Sequence, residues 1–472
     1  MKPLLLNLLC LCCLSSCMAG KPAGYVGISR DCPGYFESDG RGWVPVAVNY
    51  LPADGNGDED DEPEFAEVER YFRNFERSGV NAIRVWISGG FLEIEHQAEG
   101  VYDPARFRRI DRFLELAAKY GVRVKFTLQH IRFITPELTR RDGWATSKAL
   151  ATAFADIDEY VTTERGRQSY YNRAKALAER YAGNPWIYAW ELWNEMDAAA
   201  WRNAGWYGFT EEMLPRIQAL FPNHLVTQTL GSLDTEGAER SYRKLFTLDS
   251  NRFVAIHRYL DRAERTYDPV KGDIDELVRS AVGFAKRYVQ DRPVVVNEIG
   301  AVEPNHAGPS KLYVRDTLGV LMHDMVFAPF FCGAAGSGAM WHWDHYIERN
   351  GLWYHYLRFS RAIEGIDPAA ERFAPFVRDA GELRFYGLEG KTLTLVWCRN
   401  RAATWQSELV DGVRPEVRKN VEIRPDSLVP GKRYSAVELY DPWSDVKTAV
   451  KLEEGAFVVP EIGRSVVIRL YN

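Results

Sequence analysis

Short apolar runs alternate with amphipathic stretches from about residue 43 to 366. The apolar runs fall at 44–50, 80–87, 121–130, 186–194, 224–230, 251–259, 293–298 and 337–343, each of a length that suits a buried strand. Between them apolar positions recur with the helical period, as in Phe65-Ala66-Glu67-Val68-Glu69-Arg70-Tyr71-Phe72 and Phe107-Arg108-Arg109-Ile110-Asp111-Arg112-Phe113-Leu114-Glu115-Leu116. Gly79, Gly121 and Gly183 each follow a helical run and stand at or just before a strand, where a helix-ending glycine belongs. Eight strand–helix repeats predict a (β/α)₈ barrel. The same order fits a doubly wound sheet, but no glycine-rich phosphate loop follows the first strand, and the barrel is favoured.

Past residue 370 the pattern changes to alternating or β-branched runs, among them Leu393-Thr394-Leu395-Val396-Trp397 and Val466-Val467-Ile468-Arg469-Leu470. Turn-rich pieces such as Val429-Pro430-Gly431-Lys432 separate them, which predicts a small antiparallel β-sandwich. The expected division is a barrel over 25–368 and a sandwich over 373–472. The sandwich reads as a structural module on the barrel rather than a carbohydrate-binding domain.

At 472 residues the chain exceeds one ordinary core, so two domains are expected. A net charge of -6 argues against a nucleic-acid partner. Met1-Lys2 and the apolar run Leu4 to Leu14 read as a targeting segment, too short to span a bilayer. Leu14-Ser15-Ser16-Cys17 resembles a bacterial lipobox, which would make 1–17 the signal and Cys17 a lipidated residue. That implies export across the inner membrane and anchoring in the cell envelope, with the membrane engaged only through the lipid. Cys32, Cys332 and Cys398 are too widely spaced for a metal motif, and their pairing is open, as is oligomeric state.

The chemistry is read from strand ends. Trp190-Glu191-Leu192-Trp193-Asn194-Glu195 and Val294-Val295-Val296-Asn297-Glu298 each end an apolar run on a glutamate. Desolvating such a charge costs several kcal/mol unless it is paired or used. Two of them suggest paired carboxylates at one cavity, the minimum needed to hydrolyse a glycosidic bond. Barrel chemistry belongs at the carboxyl ends of strands. Those ends carry Asn49, Arg84, His130, Asn194, Glu195, His257, Tyr259, Glu298, Trp341 and Trp343, which together would line a cleft.

This ordered set resembles glycoside hydrolase family 5 and, more broadly, the retaining barrel hydrolases of clan GH-A. The resemblance covers the barrel only. It implies that Glu195, after Asn194, is the acid/base and that Glu298 is the nucleophile. It likewise implies substrate- or carboxylate-binding places for Arg84, His130, His257, Tyr259 and Trp341, with Trp343 an alternative floor of the same strand parity. The first strand, Val44-Pro45-Val46-Ala47-Val48-Asn49, departs from the family by lacking a glycine.

Under this reading Glu195 must be protonated at rest, with a pKa above that of Glu298. The two carboxyls should lie about 5–5.5 Å apart. Glu191, set deeper in the same strand, reads as a buried paired carboxylate, and Glu303 as a loop residue. The acidic stretch Asp54 to Glu62 fails as a calcium loop, because Glu59 stands where glycine is needed. No metal or other cofactor is expected. The long segment 131–165, with Trp144, and the next loop, with Trp201 and Trp206, should shape the subsites. The expected activity is retaining hydrolysis of a β-linked oligo- or polysaccharide, of β-mannan or β-1,4-glucan type. The alternative is a catalytically inactive carbohydrate-binding protein.

Overall fold

A computed structural model describes residues 24–53, 62–135, 145–199, 205–261 and 273–472. The expected signal with Cys17, the acidic stretch apart from Glu62, and Trp144 and Trp201 lie outside the described residues.

Five parallel strands, Ala47–Asn49, Ala82–Trp86, Arg123–Gln129, Ile187–Trp193 and Leu225–Thr227, pair in that order. Val254–Asp261 and Val294–Val302 form a further parallel pair. Single parallel bridges close the ring: Thr229 to Ala255 joins the fifth strand to the sixth, and Met340 bridges both Ile299 and Val48. The eighth stave is therefore the neighbourhood of Met340 and not a full strand over 337–343. The Asn49 amide braces this junction, its Nδ2 lying 3.0, 3.0 and 3.3 Å from the carbonyls of Asn297, Ala339 and Met340. These contacts add to backbone bonds that the stave still makes, from Asn49 N to Met340 O at 2.9 Å and from Ile299 N to Ala339 O at 3.1 Å.

A helix follows each stave: Glu62–Ser78, Pro104–Lys119, Glu164–Tyr181, Gly205–Leu220, Glu236–Phe246, Ile274–Tyr288, Val320–Phe331 and Tyr354–Ala362. Local chemistry sets several of their ends. Asp103 accepts from Ala105 N and precedes Pro104, while Thr163 and Thr235 cap their helices in the same way. Gly79 and Gly121 close helices in the left-handed region, at φ 73° and 68°. Gly183 takes no such conformation, because the helix before it already ends at Tyr181. An antiparallel ribbon of Val26–Ile28, Phe36–Ser38 and Arg41–Trp43 covers the bottom of the barrel, with Phe36 against Phe253 and Trp43 against Tyr188.

After residue 373 the chain forms a six-stranded antiparallel sheet and a two-stranded ribbon, Arg418–Ile423 with Phe457–Ile462. Leu383, Phe385, Val396 and Ile468 on one face of the sheet pack with Ile423 and Val459 of the ribbon. Tyr386, Trp397 and Val467 join the main core on the other face. All twelve residues of Val320–Phe331 are buried, because the barrel covers one side of this helix and the sheet the other. Cys32, Cys332 and Cys398 are free thiols, and no described helix is long and apolar enough to cross a membrane.

Candidate active site

A cleft of about 460 Å³ opens at the carboxyl ends of the strands. Asn194, Glu195, Tyr259, Glu298, Trp341 and Trp343 line it. Arg84 and His257 do not; both are buried beneath the carboxylates and act through them. His130 faces an adjoining cavity of about 310 Å³. There its Nδ1 lies 2.6 Å from Ser88 Oγ, and the Trp86 ring stacks on it at 4.5 Å. Trp86 lines both cavities and stands between His130 and the glutamates. Asn49 is fully buried and braces strands instead of facing the cleft.

Glu298 projects from the seventh strand and is held at both oxygens. Arg84 Nη1 donates to Oε1 at 2.5 Å and the Tyr259 hydroxyl to Oε2 at 2.8 Å. Arg84 also grips Glu191, through Nε at 2.9 Å and Nη2 at 2.5 Å, so one guanidinium orients two carboxylates. Glu191 further receives Thr229 Oγ1 at 2.8 Å and Lys125 Nζ at 2.9 Å. Burial works against its charge, yet Arg84 and Lys125 outweigh it and hold the carboxyl well below the usual range. The same burial lowers Lys125 to about 8, against the pull of Glu191. Arg84 Nη2 also donates to Asn194 Oδ1 at 2.8 Å, which leaves the Asn194 amide nitrogen for the cleft.

Glu195 sits just past the fourth strand at φ 50°, a left-handed turn that throws its carboxylate across the mouth. His257 Nδ1 lies 3.0 Å from Glu195 Oε1 and 3.3 Å from Glu298 Oε2. Ligating atoms of Glu195, His257 and Glu298 all lie within 4.8 Å of one another. That spacing suits a retaining pair and is short of the ~6.5–9.5 Å of inverting enzymes. The same three groups are of a kind that could hold a divalent cation, but Arg84 and Arg132 already neutralise the carboxylates.

Glu195 differs from expectation in its charge. Burial raises its pKa, but the hydrogen bond from His257 and the charge of Arg132 lower it further, below the usual carboxylate range. Its Oε2 is paired with Arg132 Nη2, which favours the carboxylate form. Arg132, from the loop after the third strand, had no signal in the sequence.

His306 also lines the cleft from a loop, edge-on to Tyr259 at 5.5 Å. Its backbone is left-handed, φ 55°, and its N–H donates to Asp261 at 3.1 Å. Burial lowers its pKa, but Asp234 and Asp261 raise it more. Trp86, by contrast, follows Arg84 by two positions, so strand parity could have found it. Trp341 lies 4.9 Å from Trp86 and 6.0 Å from Trp343, and both tryptophans face the cleft. Glu303 accepts from Lys311 N at 2.8 Å and shapes the seventh loop.

No family-wide sequence model matches the chain. It is 24% identical over 208 residues to mannan endo-1,4-beta-mannosidase F of Aspergillus clavatus, covering 41% of this chain and 42% of that one. The chain thus spans less than half the length of this curated relative. Among solved structures, a glycoside hydrolase family 5 protein of Bacteroides vulgatus aligns with a TM-score of 0.59 at 12% identity, over 96% of this chain and 94% of that one. The chain shares the fold of this family 5 glycoside hydrolase. An endo-1,4-beta-mannanase of Rhizomucor miehei aligns with a TM-score of 0.53 at 17% identity, over 71% of this chain and 99% of that one.

Proposed function

We propose that the protein is a retaining β-glycosidase acting on a β-mannan-type glycan. The observation that carries this reading is the pair Glu195 and Glu298, which share His257 Nδ1 and face one cleft. Glu298 is the nucleophile: its carboxylate oxygen bonds to the anomeric carbon as the glycosidic C–O bond breaks. Glu195 gives its proton to the leaving oxygen and in the second step takes one from water. Asn194 Nδ2 is placed for the sugar 2-hydroxyl, and Trp341 for the face of the reacting ring.

Arg132 favours Glu195 as a carboxylate, yet the first step needs it protonated. A bound sugar that displaces Arg132 would remove the nearest guanidinium and raise the carboxyl toward that state. The choice of mannan rests on similarity to mannan-degrading proteins, and a β-1,4-glucan is the next substrate. The six-stranded sheet and its ribbon we read as a sandwich-like structural module over 373–472, supported by the core they share with the barrel. The Leu14–Cys17 motif supports export and lipid anchoring in the envelope.

Aryl β-glycosides, β-mannan, glucomannan and cellulose, tested with wild type and Glu298→Ala, check the assignment. Turnover of β-mannoside or β-mannan is expected, with at least a thousandfold loss in the variant. Glycan binding without turnover would favour a binding protein, and an active variant would refute the nucleophile.

A further inference from the structure

Two buried residues beneath the carboxylates have no place in the chemistry so far. Lys125 is fully buried and Asn297 nearly so, and neither lines the cleft. Asn297 and Glu298 are adjacent, so a regular strand would send them to opposite faces. A bulge between Val296 and Glu298 breaks the register and lets both point inward.

The hydrogen bonds then permit one arrangement of protons. Lys125 Nζ donates to Asn297 Oδ1, and an ammonium has no acceptor to offer. The other end of the amide, Nδ2, is thereby fixed 2.9 Å from His257 Nε2. An amide N–H only donates, so Nε2 must present its lone pair. The ring proton is left on Nδ1, facing both Glu195 and Glu298.

We propose that Lys125 and Asn297 are positioning residues that hold His257 as the neutral Nδ1–H tautomer, a donor to both carboxylates that adds no charge. The charges around the ring agree. Arg84, Lys125 and Arg132 already balance Glu191, Glu195 and Glu298. Asp197 lies near the ring, and the Tyr242 hydroxyl accepts from the His257 backbone N–H at 3.2 Å. An imidazolium would add a fourth cation beside Glu195 and keep it ionised, which a general acid cannot afford. The kinetic consequence rests on the glycosidase reading; the tautomer does not.

Nitrogen-15 NMR of histidine-labelled full-length protein tests this, with the His257 signals assigned by their loss in His257→Phe. Between about pH 5 and 7, where Lys125 keeps its charge, the neutral Nδ1–H pattern is expected. An Nε2–H ring, or an imidazolium near neutral pH, overturns the proposal whatever the activity. In Asn297→Asp, a carboxylate of the same shape should draw a second proton onto Nε2. The alkaline limb of kcat/KM should then move down by about one pH unit, with KM little changed. A folded Asn297→Asp with an unchanged ring and limb also overturns it. If that variant does not fold, the wild-type spectrum decides alone. A wild type that shows the Nδ1–H ring but turns over no β-glycoside upholds the relay and refutes the glycosidase reading.

Discussion

Glu298 and Glu195 differ in what meets them before any sugar arrives. Glu298 accepts from Arg84 and Tyr259, groups buried with it, so its orientation is set by the core. Glu195 is tied to Arg132, whose side chain is 28% exposed and so meets the solvent at the cleft mouth. Arg132→Gln should raise the pKa of Glu195. Because the first step needs Glu195 protonated, the alkaline limb of kcat/KM should move up by about one pH unit. A pH–rate profile with an unmoved limb would show that Arg132 does not govern the acid. The two glutamates were legible because a charge ending an apolar run is conspicuous. Lys125 gives the same signal inside Val124-Lys125-Phe126, and reading it there would have located the partner of Glu191. Arg132 and His306 stand on loops, whose path is set by tertiary packing and not by period.

At the level of elements, the seven paired strands follow the apolar runs closely, because a strand buried on both faces has little choice of composition. The eighth stave is joined to its neighbours only by single bridges at Met340 and is braced by Asn49, a long-range contact that no local pattern displays. The inward turn of Asn297 depends on a bulge, which is equally invisible in the run Val294 to Glu298. The second strand ends in Trp86, at the junction of the two cavities. An aromatic face at such a place contributes about 0.5–1.5 kcal/mol to a stacked ring. Trp86→Ala should therefore raise KM for a mannan oligosaccharide by roughly two- to tenfold, with less effect on an aryl monosaccharide. Equal effects on both substrates would deny the second cavity a role in binding.

Across the whole molecule, the sheet after residue 373 supports the barrel by covering Val320–Phe331. Trp397 packs on Phe327 and Phe331 at 6.0 Å, and Arg399 pairs with Asp275 and Asp324 at 2.6 and 2.5 Å. Trp397→Ala should destabilise the chain by about 3–5 kcal/mol. Thermal unfolding followed together with activity should show both lost at a lowered Tm, whereas barrel activity surviving at the original Tm would show the sheet to be dispensable. The spacing of Glu195 and Glu298 within the intact molecule makes the strongest claim, that the anomeric configuration is kept. Proton NMR of the first products from a β-mannan oligosaccharide reads this directly. The β-anomer should appear first and then mutarotate, and first appearance of the α-anomer would contradict the assignment of Glu298 as nucleophile.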